Sequence, residues 1–169
     1  MKTNRGKDFE GEVQSAIERQ GDVSILRLYD PQGGQVGVAN PCDFIVFKRP
    51  QEYWLECKST HENTLSIYTA PNPKNKKYGA FSNKQWEGML EATKYKVVAG
   101  AVVWWIEHDV TKFIPIQELE RIRNTGAKSI RYDLEIPHSL VIKGIKKRVY
   151  FDYDFTRFFE KYKNGIDIG

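Results

Sequence analysis

Cysteine and histidine are scarce in this chain of 169 residues, which contains two cysteines and three histidines. The positions of these residues do not show the spacing of the four-ligand cysteine and histidine sets that bind structural zinc. No apolar run approaches the roughly 20 residues that a helix needs to span a bilayer. The N-terminal residues MKTNRGKDFEGE lack an apolar stretch behind their positive charges, so we expect no secretory signal and a cytoplasmic location. The thiols of Cys42 and Cys57 are then expected to be reduced.

The rest of the composition is typical of one globular domain. Hydrophobic residues make up 40% of the chain and aromatic residues 13%, which is enough to bury a core and too much for a disordered chain. The net charge of +4 permits a nucleic-acid partner without requiring one. No internal repeat, low-complexity segment or linker interrupts the chain, so we predict a single domain over residues 1–169.

Hydrophobic periodicity predicts an α/β fold. Four helices are predicted, over 6–20, 83–96, 117–124 and 154–163, with Asn83 as the cap of the second. Strands are predicted over 23–29, 43–47, 52–60, 97–106, 113–116 and 140–142. Loops are predicted at 30–41, which is rich in glycine and proline, and at 71–82, which is rich in lysine. This order of helices and strands favours a mixed β-sheet flanked by helices.

The stretch NPCDFIVFKRPQEYWLECKST, residues 40–60, places charges where strands of a core ordinarily hold apolar side chains. Asp43 opens the first strand, and Glu56 and Lys58 lie inside the second. Because side chains alternate across a strand, Glu56 and Lys58 share a face while Cys57 points to the other. A hairpin of the two strands brings Asp43 close to both. We therefore predict that these three charged groups converge at one end of the sheet.

Such a group of charges has a chemical use. Two neighbouring carboxylates repel each other unless a cation lies between them, and hard oxygen ligands suit Mg²⁺ or Mn²⁺. A lysine beside them can orient or help to deprotonate a water molecule, or stabilise charge on a phosphoryl oxygen. The triplet Glu-x-Lys also occurs by chance in edge strands, as a solvated face or a cross-strand ion pair. The triplet alone therefore does not decide between a site and a solvated face.

The wider context resembles the restriction-endonuclease-like nucleases, whose motif PD…(D/E)xK is similar to PCD…ECK here. More narrowly, the chain resembles the RecU family of Holliday junction resolvases. Three stretches carry this likeness: NRGKDFE at the first helix, then Asp43, Glu56, Lys58 and Thr60 in the paired strands, then Phe81, Gln85 and Met89 at the next helix, with Ala80 where the family has asparagine. The archaeal Holliday junction resolvases are similar in the same core. The likeness covers about 4–125 and leaves about 126–169 as a C-terminal extension.

The resemblance implies a role for each matching residue. Asp43 and Glu56 would be metal ligands, and Glu10 would approach the metal from the first helix. Lys58 would be the lysine of the site, and Gln85 would position a water molecule or a metal-bound group. The family inserts a long basic stalk before the first catalytic acid, which the loop 30–42 lacks. The resemblance therefore does not extend to recognition of the junction by a stalk.

Basic residues in two segments are the predicted DNA contacts. In a nuclease their charges would meet phosphate groups, and otherwise they are solvated surface charge. These residues are Lys74, Lys76, Lys77 and Lys84 around the second helix, and Lys146, Lys147 and Arg148 near the C-terminus.

Together these patterns predict a Mg²⁺-dependent (or Mn²⁺-dependent) endodeoxyribonuclease, a Holliday junction resolvase that cuts four-way DNA symmetrically. Symmetrical cutting needs two sites, so we predict a homodimer, as in the resembled family. The segments 101–107 and 149–159 and the first helix hold more aromatic and apolar side chains than a small core needs, and we expect the interface there. Two alternatives remain open: another nuclease of this superfamily, which cuts flaps, ends or defined sites, and a DNA-binding module with a degenerate site.

Overall fold

A mixed sheet of six strands runs through the computed structural model, which describes residues 5–29, 40–67, 79–146 and 151–168. The described residues contain ten strands: β1 (Ser24–Arg27), β2 (Phe44–Lys48), β3 (Gln51–Thr60), β4 (Thr64–Ser66), β5 (Val98–Trp105), β6 (Val110–Pro115), β7 (Ser129–Arg131), β8 (Leu140–Val141), β9 (Gly144–Lys146) and β10 (Phe151–Tyr153). The helices are α1 (Arg5–Glu18), α2 (Asn83–Thr93), α3 (Ile116–Asn124) and α4 (Thr156–Tyr162).

The strand order in the main sheet is β1-β2-β3-β5-β6-β8. Neighbouring strands are antiparallel except β3 and β5, which run parallel from Tyr53 opposite Val98 to Thr60 opposite Trp105. A parallel pair needs a crossover connection, and α2 lies in the connection between these two strands. The predicted fold class, a mixed sheet flanked by helices, is therefore confirmed. No helix among the described residues is long and apolar enough to cross a membrane.

Helices cover the sheet on both faces. On one face, which we call the α1 face, α1 and α4 pack over a core that includes Phe9, Val13, Phe44 and Phe158. On the other, the α2 face, α2 and α3 pack over a core that includes Trp86 and Trp105 together with further side chains: Met89, Ala101, Val103, Ile114 and Leu119. Strand β5 is central and apolar on both faces, as its uninterrupted hydrophobic sequence predicts.

The aromatic side chains of the C-terminal segment belong to the core on the α1 face. Phe155 and Phe158 are fully buried, and Phe158 contacts the rings of Tyr53, Phe113 and Tyr162. Trp105 is also fully buried. Trp105, Phe155 and Phe158 therefore do not supply the expected dimer interface, because their side chains fill the core of one chain. Residues 149 and 150 of the expected interface lie outside the described residues.

Several element ends differ from the prediction. α1 ends at Glu18 and α2 at Thr93, two and three residues before the predicted ends. The two-stranded ribbons β4–β7 and β9–β10 were not predicted, since strands of three residues are too short to show an alternating pattern. The cap of α2 is Ser82 and not Asn83, because the side chain of Ser82 accepts the hydrogen bond from the backbone of Gln85.

Replacement of Phe158 by alanine tests whether the C-terminal segment stabilises the whole domain. We expect Phe158→Ala to lower the free energy of unfolding by about 3–5 kcal/mol, the usual cost of deleting a buried phenyl ring. Urea unfolding monitored by tryptophan fluorescence measures the change. Tyr95, which is 75% exposed, provides the control: Tyr95→Ala should change stability by no more than about 0.5 kcal/mol. A similar small change for Phe158→Ala would mean that the segment is not part of the folding unit.

Candidate active site

The acidic residues meet where β2 begins and β3 continues past it. Phe44 pairs with Leu55 in the antiparallel register of these strands, and the backbone N–H of Asp43 donates to the carbonyl oxygen of Leu55 at 3.1 Å. The next pair in this register is Asp43 with Glu56, so both side chains lie on the α2 face. Beyond this pair, β5 is the only strand paired with β3 among the described residues.

Glu56 is the most buried charged side chain of the site, with 1% of its surface exposed. Its Oε1 atom accepts two hydrogen bonds, from Lys58 Nζ at 2.5 Å and from Gln85 Nε2 at 2.6 Å. Its Oε2 atom is buried and has no hydrogen-bond partner among the described residues. A buried carboxylate oxygen without a partner is costly, so this atom marks the place where a cation would be stabilised most.

Asp43 and Lys58 complete the charged group. Asp43 Oδ2 accepts from the backbone N–H of Cys57 at 2.7 Å, which fixes the carboxylate against β3. Lys58 Nζ lies 5.4 Å from the centre of the Phe81 ring while it pairs with Glu56. The ring face attracts the ammonium group, so Lys58 is held between a carboxylate and an aromatic ring.

Gln85 reaches Glu56 from the first turn of α2. Ser82 caps this helix: its Oγ accepts from the backbone N–H of Gln85 at 3.2 Å, and its own N–H donates to Gln85 Oε1 at 3.0 Å. These two reciprocal hydrogen bonds between Ser82 and Gln85 form a capping box. Sequence reasoning missed Ser82, although the spacing Ser-x-x-Gln before an apolar helix is the signal that predicts such a box.

A glycine in α2 allows the helix to lie close to the start of β2. A Cβ atom at Gly88 would come within 2.9 Å of Pro41 Cβ, two residues before Asp43. Two carbon atoms do not approach this closely, so either α2 or Pro41 would have to move. Gly88 therefore sets how closely α2, and with it Gln85, approaches the acidic residues.

Glu10 lies on α1 and is paired with Arg27 of β1 through Arg27 Nη2 and Glu10 Oε2. The guanidinium group also lies 5.7 Å from the ring centre of Phe44. The charge of Glu10 raises the pKa of both Asp43 and Glu56, so Glu10 is close to the site while its own ion pair points to β1. Arg27 was not predicted, and nothing in its sequence context distinguishes it from other strand arginines.

Burial is the main cause that raises the pKa of both central carboxyl groups. The pKa of Asp43 rises to about 6, because burial and the charge of Glu10 outweigh the hydrogen bond from the backbone and the nearby cations. The pKa of Glu56 rises to about 7, because burial and the charge of Asp43 outweigh the attraction of Lys58. Two carboxyl groups that share one lysine thus lack compensating positive charge.

The donor set fits a hard divalent cation. Within the described ranges, no three or more Asp, Glu, His or Cys side chains are close enough to hold a metal ion by themselves. Mg²⁺ does not need such a cage, since it is commonly held by one or two carboxylates with water and phosphate oxygens as the other ligands. Asp43 and Glu56, through its buried Oε2, can supply those two carboxylates.

The two cysteines do not compete for this chemistry. Burial raises the pKa of both thiols, so Cys42 and Cys57 stay protonated at neutral pH. Cys42 Sγ donates to the carbonyl oxygen of Phe44 at 3.4 Å, and Cys57 lies in the core of the α1 face. Neither thiol is positioned as a nucleophile or a metal ligand.

Of the predicted DNA contacts, the structure describes two. Lys84 is exposed in the first turn of α2, next to Gln85, and Lys146 is exposed at the end of β9. The other predicted contacts lie outside the described residues: Lys74, Lys76, Lys77, Lys147 and Arg148.

Comparison with known proteins yields a likeness to solved structures only. No family model matches the chain, and no curated protein matches it. Among solved structures, the chain is similar to Hjc of Archaeoglobus fulgidus, a Holliday junction resolvase from an archaeal hyperthermophile. The likeness has a TM-score of 0.49 and 19% sequence identity, and it covers 75% of this chain and 88% of that chain. A similarity this weak leaves the function to be inferred from the site residues.

The raised pKa values of Asp43 and Glu56 predict a pH-dependent stability in the absence of metal. Both exceed the values of an unfolded chain, about 4, so their stabilising contribution is complete below about pH 4 and is lost as the pH rises through about 6 to about 7. Thermal melting from about pH 5 to about pH 8 should show the wild type losing stability relative to Asp43→Asn/Glu56→Gln.

Mg²⁺ provides the second half of this test. Metal ligands must be ionised, so Mg²⁺ should raise the melting temperature of the wild type more at about pH 8 than at about pH 5. The double variant, which keeps the amide shape but cannot ionise at these two positions, should respond little at either pH. A difference between the two proteins that does not change with pH would contradict the burial of two titrating carboxyl groups.

Proposed function

We propose that this chain is a metal-dependent endodeoxyribonuclease that cuts four-way DNA junctions. The observation that carries the proposal is the meeting of Asp43, Glu56 and Lys58 where β2 begins and β3 continues past it, with one carboxylate oxygen buried and without a partner among the described residues. This is the arrangement expected for the motif PD…ExK, whose residues come from two adjacent strands.

Each residue has a role in phosphodiester hydrolysis. A Mg²⁺ ion held by Asp43 and Glu56 would polarise the phosphate and lower the pKa of an attacking water molecule. Lys58, held between Glu56 and the ring of Phe81, orients that water and stabilises negative charge on a phosphoryl oxygen. Arg27 holds Glu10 by an ion pair and so limits the negative charge that Glu10 adds.

A module that only binds DNA has no use for such a site. Burial of Glu56 costs free energy, as its raised pKa indicates, and two carboxylates repel the phosphate groups of DNA. A binding surface gains from losing both acids. A hydrolytic site keeps them because the metal compensates their charge, and this comparison favours the nuclease over a degenerate module.

Two arguments favour a four-way junction as the substrate: the RecU-like residues of β2, β3 and α2, and the expected dimerisation of the chain. A single copy of Asp43, Glu56 and Lys58 makes one cut at a time, so a pair of symmetrical cuts requires a dimer. Leu26 and Phe47 are 57% and 45% exposed and lie on the same face of the sheet as the carboxylates. They are apolar surface suited to an isologous contact that directs two sites to the same side.

Cleavage assays with four-way, flap and linear DNA in Mg²⁺ test the reaction. Asp43→Asn and Glu56→Gln should abolish cleavage and leave DNA binding intact or slightly tighter, because a repelling charge is lost. Lys58→Ala should lower the rate by about 10²-fold or more, the scale for loss of one charge-stabilising group. Binding without cleavage by the wild type would favour the DNA-binding module. Cleavage of flaps or ends in preference to junctions would favour another nuclease of the superfamily.

Analytical ultracentrifugation at micromolar concentration tests the assembly. We expect a dimer, with a total buried area above about 1,000 Å². Leu26→Asp/Phe47→Asp should shift the protein to the monomer, because it places two charges in the contact. Leu134→Asp, at an exposed apolar side chain elsewhere on the surface, should leave the dimer intact. A wild type that stays monomeric both alone and on junction DNA would reduce the activity to nicking, and the resolvase would have to be abandoned.

A further inference from the structure

The two oxygens of Glu56 are not equivalent in this structure. Oε1 accepts from Lys58 and from Gln85, whereas the buried Oε2 accepts from nothing among the described residues. We propose that the capping box of α2, formed by Ser82 and Gln85, selects which oxygen of Glu56 is left for the metal. This inference rests on the proposed nuclease function and assigns Gln85 as a positioning residue outside the metal shell.

The capping box allows one orientation of the Gln85 amide. The N–H of Ser82 points at the amide and needs an acceptor, which is Oε1 of Gln85 at 3.0 Å. The amide nitrogen Nε2 is then left to face Glu56 Oε1 at 2.6 Å. A flipped amide would place its NH₂ group against the N–H of Ser82 and its oxygen against a carboxylate oxygen, and both contacts repel. The helix start thus fixes the donor that faces Glu56.

The box is also fixed in position relative to the strand. The Oγ of Ser82 accepts from the backbone of Gln85, which ties the residue before the helix to its first turn. Farther along α2, Gly88 lies against Pro41, where no Cβ atom would fit. The hydrogen bond from the N–H of Ser82 therefore restrains the rotamer of the Gln85 side chain that carries the donor. Such restraint is the condition for holding a metal ligand within about 0.5 Å of its working position.

Two donors on one oxygen direct the metal to the other. With Lys58 and Gln85 on Oε1, Glu56 can offer Oε2 to a cation as a single oxygen ligand while Oε1 stays neutralised. Loss of the Gln85 donor frees Oε1 and allows the carboxylate to rotate or to bind through both oxygens. Partners of this kind, which contact a ligand and not the metal, change metal affinity by about 10–100-fold when they are removed.

Binding of Mn²⁺ to the purified protein tests the inference without a cleavage assay. Isothermal titration calorimetry gives the affinity, and the electron paramagnetic resonance of bound Mn²⁺ reports its ligands. Gln85→Met keeps the length and helix propensity of the side chain and removes both hydrogen bonds. We expect it to bind Mn²⁺ about 10–100-fold more weakly than the wild type and to change the spectrum of the bound ion.

Variants at Ser82 separate orientation from helix stability. Ser82→Ala loses the Oγ cap but keeps the N–H, whereas Ser82→Pro loses both, and the observed φ of −77° is compatible with proline. We expect the larger loss of Mn²⁺ affinity in Ser82→Pro. Asp154→Ala, which removes the acceptor for the N–H of Thr156 at the start of α4, is the matched control: it should lower the melting temperature and leave Mn²⁺ binding unchanged.

The outcomes distinguish this inference from the function on which it rests. If the wild type binds Mn²⁺ no better than Asp43→Asn does, the metal-dependent nuclease and the inference are overturned together. A wild type that binds Mn²⁺, with Gln85→Met equal to it in affinity and spectrum, would overturn the positioning role and leave the nuclease intact. Since Gln85→Met does not alter the backbone at the cap, the test stands even if Ser82→Pro is too unstable to measure.

Discussion

Burial of the Glu56 carboxylate is the constraint on which the site depends. The side chain is 1% exposed and lies in the middle of β3, one residue past Leu55, the last residue paired with β2, and within the part of the strand that pairs with β5. Two neighbours compensate that buried charge, the ammonium group of Lys58 and the amide donor of Gln85, and a second acid, Asp43, adds to it. Removal of the charge would make the strand an ordinary core strand.

The main elements and the central residues of the site follow from short-range patterns. Alternation along β3 is sufficient to place Glu56 and Lys58 on one face and Cys57 on the other, and the turn at 48–51 sets the register that brings Asp43 opposite Glu56. Periodicity likewise predicts α1 and α2 within a few residues of their ends. The strand pairing and the two helices both depend on contacts between residues that are close together in the sequence.

Features that depend on distant contacts were not predictable in the same way. The aromatic residues of α4 look like surplus surface in the sequence, yet they fill the α1 face, and no local pattern indicates which face a C-terminal helix will cover. The ion pair of Arg27 with Glu10 joins α1 to an edge strand. Ser82 differs from these two cases, because its spacing to Gln85 is local and its role was simply missed.

The contact of Gly88 with Pro41 has a consequence for how the chain can vary. Position 88 touches neither the carboxylates nor their donors, yet any larger residue there would push α2 outward. In a library of all single substitutions screened for function, position 88 should therefore be as intolerant as the charged positions, while the exposed positions of the same helix accept most residues. The sensitivity of position 88 to mutation would then reflect the close spacing of the α2 backbone and Pro41. It would not identify a residue in contact with the substrate.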